Sequence, residues 1–457
     1  MERKPHNGFL RKIADILLPP PVWLLCRTLG LVTWYLLPER RAVALRNLAL
    51  AFPERDERWR KRIAFRSVMQ MFELFAVPLV NPWLSDDEIR RRYVFRDETI
   101  EILKRVRDGH PAMMMVPHFA ASEALTIAGF FVPGVKFTNL YRPLDFKPAE
   151  RYVHWARTRW GMKLVSRKTG LLGVSAVLSH GESVGLLFDQ NTMTAGALVL
   201  SFGRICSATD LPGILQVRHN SEAYLVLARR TGFLRADVQL DPMVTDGTVA
   251  TTTALSSYAM EIAMRGDDDL CAEWLWAHNR WKSELCEPHH CLSLSFKKNY
   301  LAESLRLHGL DTLPRHQPFI VRAPDDPERT KILAQWMPRL HAARPDVRWI
   351  VVAKAEVAGN FVPGTNCERL VVADKSNLRR ILASLRTEWA EIYFALDPES
   401  DAVAERKACA SRRVIAFGSG AERDKRGITI FNMDSALLAP DRYDELLAAV
   451  FKRCGLE

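Results

Sequence analysis

Up to about residue 100 the chain is dominated by long runs whose apolar residues recur every three to four positions, such as Arg62 to Val80, and this spacing predicts helices. From Pro111 to about Asp241 the pattern changes. Short apolar runs, "AMMMV", "VKFTNLY", "SVGLLFD", "EAYLVLAR" and "LRADVQL", alternate with helical stretches, and a further helix is expected over Thr251 to Arg265. Alternation of this kind predicts an α/β core. Between Pro288 and His316 the chain is polar and irregular apart from a helical stretch near Ala302 to Leu307, which reads as a linker. The alternation then resumes with "FIVRA", "RWIVVAK", "ERLVVAD", "EIYFALD" and "RRVIAFG", separated by helical runs at Thr330 to Ala343, Asn377 to Leu385 and Ser400 to Cys409. This predicts a small Rossmann-like α/β domain, although no G-x-G-x-x-G follows its first strand. The expected organisation is a helical N-terminal segment (1–100), an α/β core (101–290), a linker (291–316) and the Rossmann-like domain (317–457).

The N-terminal segment contains "ILLPPPVWLLCRTLGLVTWYLLP", Ile16 to Pro38, apolar but for Arg27 and interrupted by Pro19-Pro20-Pro21. Each uncharged stretch is about eleven residues, short of the roughly 20 that a spanning helix needs, so an interfacial membrane anchor is expected. Trp23, Trp34 and the arginines that follow (Arg40, Arg41, Arg46, Arg55, Arg58, Arg60, Arg62) suit a surface of anionic headgroups. A formal charge of +11 over 457 residues favours an acidic partner. No nucleic-acid-binding motif is present, so anionic lipid or a small acidic protein leads. Eight cysteines scattered without a paired framework suit a reducing compartment. Cys286-Glu-Pro-His289-His290-Cys291 places four metal-binding side chains in six residues, but adjacent histidines cannot readily close one tetrahedron with both cysteines. Neither a metal nor a cofactor is expected.

The sharpest local feature is "MMMVPHFAASEAL", Met113 to Leu125, where a strand expected to be buried on both faces gives way to His118 and then Glu123. On one continuous helix these two side chains would diverge by about 140°, taking about 100° per residue. If His118 sits on the strand-to-helix turn and Glu123 in the first turn of a helix over Ala121 to Gly129, the carboxylate can fold back toward the imidazole. A carboxylate on one ring nitrogen fixes the tautomer and leaves the other free to take a proton from a hydroxyl nucleophile. A surface histidine near a helix start, with a solvated glutamate, has the same spacing. Further polar residues lie where the expected strands end: "YRP" at Tyr141 to Pro143, "RTRWGMKLVSRK" at Arg157 to Lys168, Asp189-Gln190, and "SFGR" at Ser201 to Arg204. Carboxyl ends of α/β strands are where ligands bind.

In this order and spacing these blocks resemble the late acyltransferases of lipid A biosynthesis, the bacterial lauroyl/myristoyl-type family. The resemblance runs over roughly Phe9 to Pro288. It includes "RRAVALRNLALAFPE" at Arg40 to Glu54, the H-x4-E box, "YRP", "GESVGLLFDQ" at Gly181 to Gln190, Phe202-Gly203 and "WLWAHNRWK" at Trp274 to Lys282. It implies His118 as general base and Glu123 as its orienter, with Arg157 and Asp189 at positions used in catalysis or acceptor binding. Arg142, Arg159, Arg167 and Gln190 are the implied substrate-binding residues. It also implies an acyl carrier protein as donor, a phosphate-bearing glycolipid acceptor and a place on the cytoplasmic face of the bacterial inner membrane. Two departures bear on specificity. The family's box usually reads His-Phe-Gly-Asn-Trp-Glu, and here Ala120, Ala121 and Ser122 replace the middle three; Ser201 replaces the first phenylalanine of a common Phe-Phe-Gly. Acylation of another glycolipid or an aminolipid, or a non-catalytic scaffold with a decayed core, are the alternatives. The C-terminal domain resembles, more faintly, the N-terminal half of heptosyltransferase-like GT-B glycosyltransferases over Phe319 to Lys354. A GT-B donor site needs both halves, so an accessory domain is expected.

Overall fold

The structure is a computed structural model that describes residues 8–166, 170–192, 195–281, 298–397, 400–418, 423–425 and 428–456. The chain divides into two compact units, one formed by Met1–Phe202, Ser207–Arg280 and Tyr300–Gly309, the other by Gly203–Cys206, Trp281–Asn299 and Leu310–Glu457. The helix Leu301–His308, expected inside a linker, thus belongs with the first unit.

In the first unit the strands are β1 (Tyr93–Phe95), β2 (Ala112–Val116), β3 (Phe137–Tyr141), β4 (Lys163–Ser166), β5 (Ser183–Leu187) and β6 (Ala197–Ser201), with β8 (Glu222–Gly232) and β9 (Arg235–Pro242); β7 (Arg204–Ala208) has its first three residues in the second unit, and neither β6 nor β7 joins the main sheet. Among the described residues that sheet has seven strands in the order β1-β9-β8-β2-β5-β3-β4. All its pairings are parallel except the β8–β9 hairpin. The methionine-rich β2 is central and buried at every residue, as an unalternating apolar run in a parallel sheet requires. The short β1 and β4 were not legible as strands; both lie at sheet edges, where half-exposed positions blur the apolar run.

The N-terminal segment is more continuous than its prolines suggest. The helix Gly8–Leu17 is followed, after Leu18, by Pro19–Leu36, whose three prolines occupy the first turn. There a missing backbone N–H costs nothing, because those groups have no intrahelical partner. Together Gly8–Leu36 form a 29-residue helical stretch long and apolar enough to cross a membrane, so the expectation that it is too short is corrected. One face packs inward. Gly30 brings the helix so close to Glu57–Gln70 that a Cβ would lie 3.0 Å from the Met69 Cα. Arg27, the one charge within Pro19–Leu36, turns onto the Met69 carbonyl (3.3 Å) and the buried Glu73 carboxylate (3.4 Å). The other face leaves Leu24, Leu25, Leu31, Val32, Tyr35 and Leu36 exposed, and Phe75, Leu79 and Trp83 are exposed on the segment that follows Glu57–Gln70. So large an apolar surface on a basic protein marks a contact with something apolar.

The second unit carries β10 (Gln317–Arg322), β11 (Val347–Ala353), β12 (Arg369–Val372), β13 (Ile392–Ala395), β14 (Arg413–Gly418), β15 (Arg423–Lys425) and β16 (Ile428–Asn432), in the order β12-β11-β10-β13-β14-β16-β15. Apart from β15, an antiparallel edge strand, the order is that of a doubly wound Rossmann sheet. Phe319, Trp349, Phe394 and Phe451 pack at its core. The loop after β10 carries carboxylates where a dinucleotide site carries glycines: Asp326 caps the helix Pro327–Ala343, and Asp325 is paired to Arg322 and Lys354, each at 2.6 Å.

Candidate active site

The sheet order brings together two residues that lie 71 positions apart. Parallel pairing of β2 and β5 aligns Val116 with Leu187, and two residues beyond each, at the carboxyl ends of the strands, come His118 and Asp189. The His118 Nδ1 lies 2.5 Å from Asp189 Oδ1, and the His118 backbone N–H donates to Asp189 Oδ2 at 2.9 Å. The Trp274 indole N–H donates to the same Oδ2 at 2.6 Å. Burial of this 1% exposed carboxylate would raise its pKa, but the imidazole, the His118 amide and the indole overcome that and hold it at about 2. Asp189 is therefore ionised across the physiological range. An ionised carboxylate only accepts, so Nδ1 carries the proton and Nε2 presents its lone pair. The ring is 13% exposed, open enough for a hydroxyl to reach it. The Gln190 side-chain amide lies 3.0 Å from Nε2.

Glu123 does not fold back onto the imidazole. It is gripped by Arg157 through two parallel hydrogen bonds, Nε to Oε2 at 3.0 Å and Nη2 to Oε1 at 2.6 Å. The expected helix over Ala121 to Gly129 is instead a 3₁₀ turn, Ser122–Ile127, followed by a short α-helix, Ala128–Phe131. Ser122 makes the tight entry: its hydroxyl donates to the Pro117 carbonyl at 2.5 Å and accepts from the Phe119 N–H at 3.1 Å. Arg157 projects from the helix Lys147–Thr158, beside the strand end that carries Tyr141. The Tyr141 hydroxyl donates to Glu150 Oε1 at 2.9 Å and the Leu144 N–H to Oε2 at 2.6 Å, so Glu150 of that helix holds the "YRP" loop.

Of the remaining expected residues, Arg142 is largely exposed and only loosely paired with Asp145, at 3.8 Å. Arg159 donates to the Pro82 carbonyl and lies over the Trp155 and Trp160 rings, which gives it a packing role. Arg167 lies outside the described residues, as does the stretch from Cys286 to Cys291. Among the described residues no group of three or more His, Cys, Asp or Glu could hold a metal ion. Beside Glu123 is a cavity of about 50 Å³, lined by Leu74, Val116, Leu125, Leu140 and Leu187 together with the polar Ser122, Thr126 and Asn139. Asn139 fits because residue 185 is glycine: a Cβ there would lie 2.1 Å from its Oδ1.

The roles of the "WLWAHNRWK" and "RRAVALRNLALAFPE" blocks emerge only from the structure. Trp274 anchors the Asp189 carboxylate directly. The segment that carries it is tied to the N-terminal helices by Asn47, whose amide donates to the carbonyls of Trp276 (2.9 Å) and His278 (2.8 Å), and by Ser67, which donates to the Trp274 carbonyl. Arg280, fully buried, donates to the backbone carbonyls of Gln190 (2.8 Å) and Ser207 (2.9 Å). The signal that could have found them was a tryptophan, asparagine and arginine inside otherwise apolar runs, since buried polar groups must be paired.

The sequence model of the bacterial lipid A biosynthesis acyltransferase family matches residues 7–283, more than half of the chain. The chain is 22% identical over 280 residues to the lipid A biosynthesis palmitoleoyltransferase of Escherichia coli (strain K12), covering 58% of this chain and 87% of that protein. It matches the lipid A biosynthesis acyltransferase of Shigella flexneri to the same extent. The match takes in β2, β5 and the Trp274 segment that hold His118 between them, and the chain belongs to the bacterial lipid A biosynthesis acyltransferase family.

Proposed function

We propose that the protein transfers a fatty acyl chain from the thioester of acyl carrier protein to a hydroxyl of a lipid A precursor, at the cytoplasmic face of the bacterial inner membrane. The observation that carries this reading is the His118–Asp189 pair: an oriented imidazole at the carboxyl edge of the sheet, whose second nitrogen meets the side-chain amide of exposed Gln190. In the reaction His118 Nε2 takes the proton of the acceptor hydroxyl as its oxygen attacks the thioester carbonyl carbon. The C=O π electrons move onto oxygen, and collapse of this tetrahedral intermediate re-forms the carbonyl and breaks the C–S bond. The departing thiolate takes the proton from the imidazolium, which the Asp189 charge has stabilised meanwhile. The leucines that line the cavity beside Glu123 offer an apolar wall for part of an acyl chain; its volume of about 50 Å³ does not hold a whole one. The fork between Glu123 and Arg157 keeps that mouth in shape, and exposed Arg142 is free to meet an acceptor phosphate. The surplus positive charge favours both an acidic carrier protein and anionic headgroups. The exposed apolar face of Gly8–Leu36 supplies the membrane contact.

The experiment is a mass spectrum of lipid A from cells with and without the gene, and with a His118→Ala copy. The expected result is one lipid A species heavier by a single acyl chain, present only with the intact gene. Identical lipid A in all three would refute this assignment, and a change confined to another lipid class would move the activity to that acceptor.

A further inference from the structure

We propose that Gln190 is a catalytic residue that acts as a gate on the base: in the resting enzyme its side-chain amide caps His118 Nε2, and when the acceptor hydroxyl displaces it the same amide donates to the oxyanion. This deepens the acyl-transfer reading and rests on it for the second half only. Because Asp189 accepts from Nδ1–H, Nε2 has only its lone pair to offer, and the group facing it at 3.0 Å must be the donor. Among the polar side chains a neutral amide is well suited to this place. A carboxylate would hold the proton on Nε2, and a cation would oppose its arrival.

The acceptor oxygen has to come within about 3 Å of Nε2 to give up its proton, which is the position the amide occupies. The two therefore compete. Once displaced, the amide stays within a side chain's reach of the atom where the new C–O bond forms, and the oxyanion forms on the carbon joined to it. The architecture separates a fixed backbone from a movable side chain. The Gln190 carbonyl accepts from the buried Arg280 guanidinium at 2.8 Å, and the next residue is tied down on both sides: Asn191 Nδ2 donates to the Arg280 carbonyl (2.8 Å) and its backbone N–H to His278 Nε2 (3.3 Å). The Gln190 side chain, by contrast, is exposed, so gating requires only rotation about its own bonds. Asp189 and Gln190, consecutive in sequence, thus serve the two nitrogens of one imidazole.

The test uses the full-length protein with Gln190→Ala and Gln190→Met, the second keeping the bulk while lacking the N–H. Two readouts are needed. Peptide mass spectrometry after brief treatment with diethyl pyrocarbonate follows carbethoxylation of His118, which needs a free ring nitrogen and no substrate. Both variants should react several-fold faster there than the wild type; equal rates would overturn the cap. Acyl transfer from acyl carrier protein thioester should show kcat lower by about 10²–10³-fold, the size expected for one oxyanion donor, with the acceptor KM changed by less than about threefold. A rise in KM with kcat unchanged would make Gln190 a binding residue and overturn the oxyanion role. Faster modification in a protein whose wild type transfers no acyl group would leave the cap standing and remove the acyl-transfer reading.

Discussion

Asp189→Asn separates the charge of the carboxylate from its role in choosing the tautomer. The side chain fits the same space, but it offers one oxygen and one NH₂ where the carboxylate offers two acceptors. The Oδ2 site receives two donors, the His118 amide and the Trp274 indole, whereas the Oδ1 site receives one. The amide oxygen will therefore take the Oδ2 site, and the NH₂ will face Nδ1. That forces Nδ1 to accept and moves the proton to Nε2, the nitrogen that must be empty for catalysis. The charge alone has a limited worth: a fall from an ordinary 3.8 to about 2 amounts to roughly 60-fold, between about 2 and 3 kcal/mol at about 1.4 kcal/mol per tenfold. The wrong tautomer should carry the loss in kcat to about 10³–10⁴-fold. Steady-state acyl transfer monitored by mass spectrometry gives the rate, and ¹⁵N shifts of the imidazole give the tautomer. A loss of about 60-fold or less with the Nδ1–H tautomer retained would refute the hydrogen-bond argument.

Other parts of the structure give further expectations. Burial lifts the Glu273 carboxyl to about 8, so between the unfolded value near 4.5 and about 8 the folded state holds a proton the unfolded state has lost, and stability falls as pH rises through that window. Glu273→Gln should flatten this fall, gaining in thermal midpoint at pH 8 relative to pH 5; parallel pH profiles for the two proteins would count against it. Changing the exposed Leu24, Leu25, Leu31 and Tyr35 to serine should release the protein from anionic vesicles while leaving its fold intact, because the inward face with Arg27 and Gly30 is untouched; unchanged sedimentation with vesicles would show that the contact lies elsewhere. Gly185→Ala drives a methyl group into Asn139 and should cost about 1–3 kcal/mol in chemical denaturation, and a neutral result would mean that Asn139 can move aside.

The α/β core and most strands of both sheets could be read from the chain, because parallel strands buried on both faces leave short apolar runs bounded by turn and polar residues. His118 was legible for the same reason, as the first polar side chain after such a run. Its partner was not. The spacing of His118 and Glu123 is local and points to the nearer carboxylate, whereas the pairing with Asp189 depends on β2 and β5 being neighbours, which sheet order decides and spacing does not record. The 3₁₀ turn that aims Glu123 at Arg157 arises from the Ser122 hydroxyl competing for the Pro117 carbonyl, an effect that periodicity cannot express. The prolines at 19 to 21 read as a break and proved to be a helix start, since a missing N–H matters only where a partner carbonyl exists. The final helix Tyr443–Cys454 went unread although Tyr443, Leu446, Leu447, Val450, Phe451 and Cys454 recur at helical spacing.

The most direct test of the central claim, that an oriented His118 is the base of an acyl transfer, is the rate at which purified wild-type and His118→Ala proteins move the chain of acyl carrier protein thioester onto a lipid A precursor. The account predicts clear transfer by the wild type and a loss of about 10²–10⁴-fold in the variant, as removal of a general base requires, with the acceptor still bound. Transfer by His118→Ala at near the wild-type rate would contradict it.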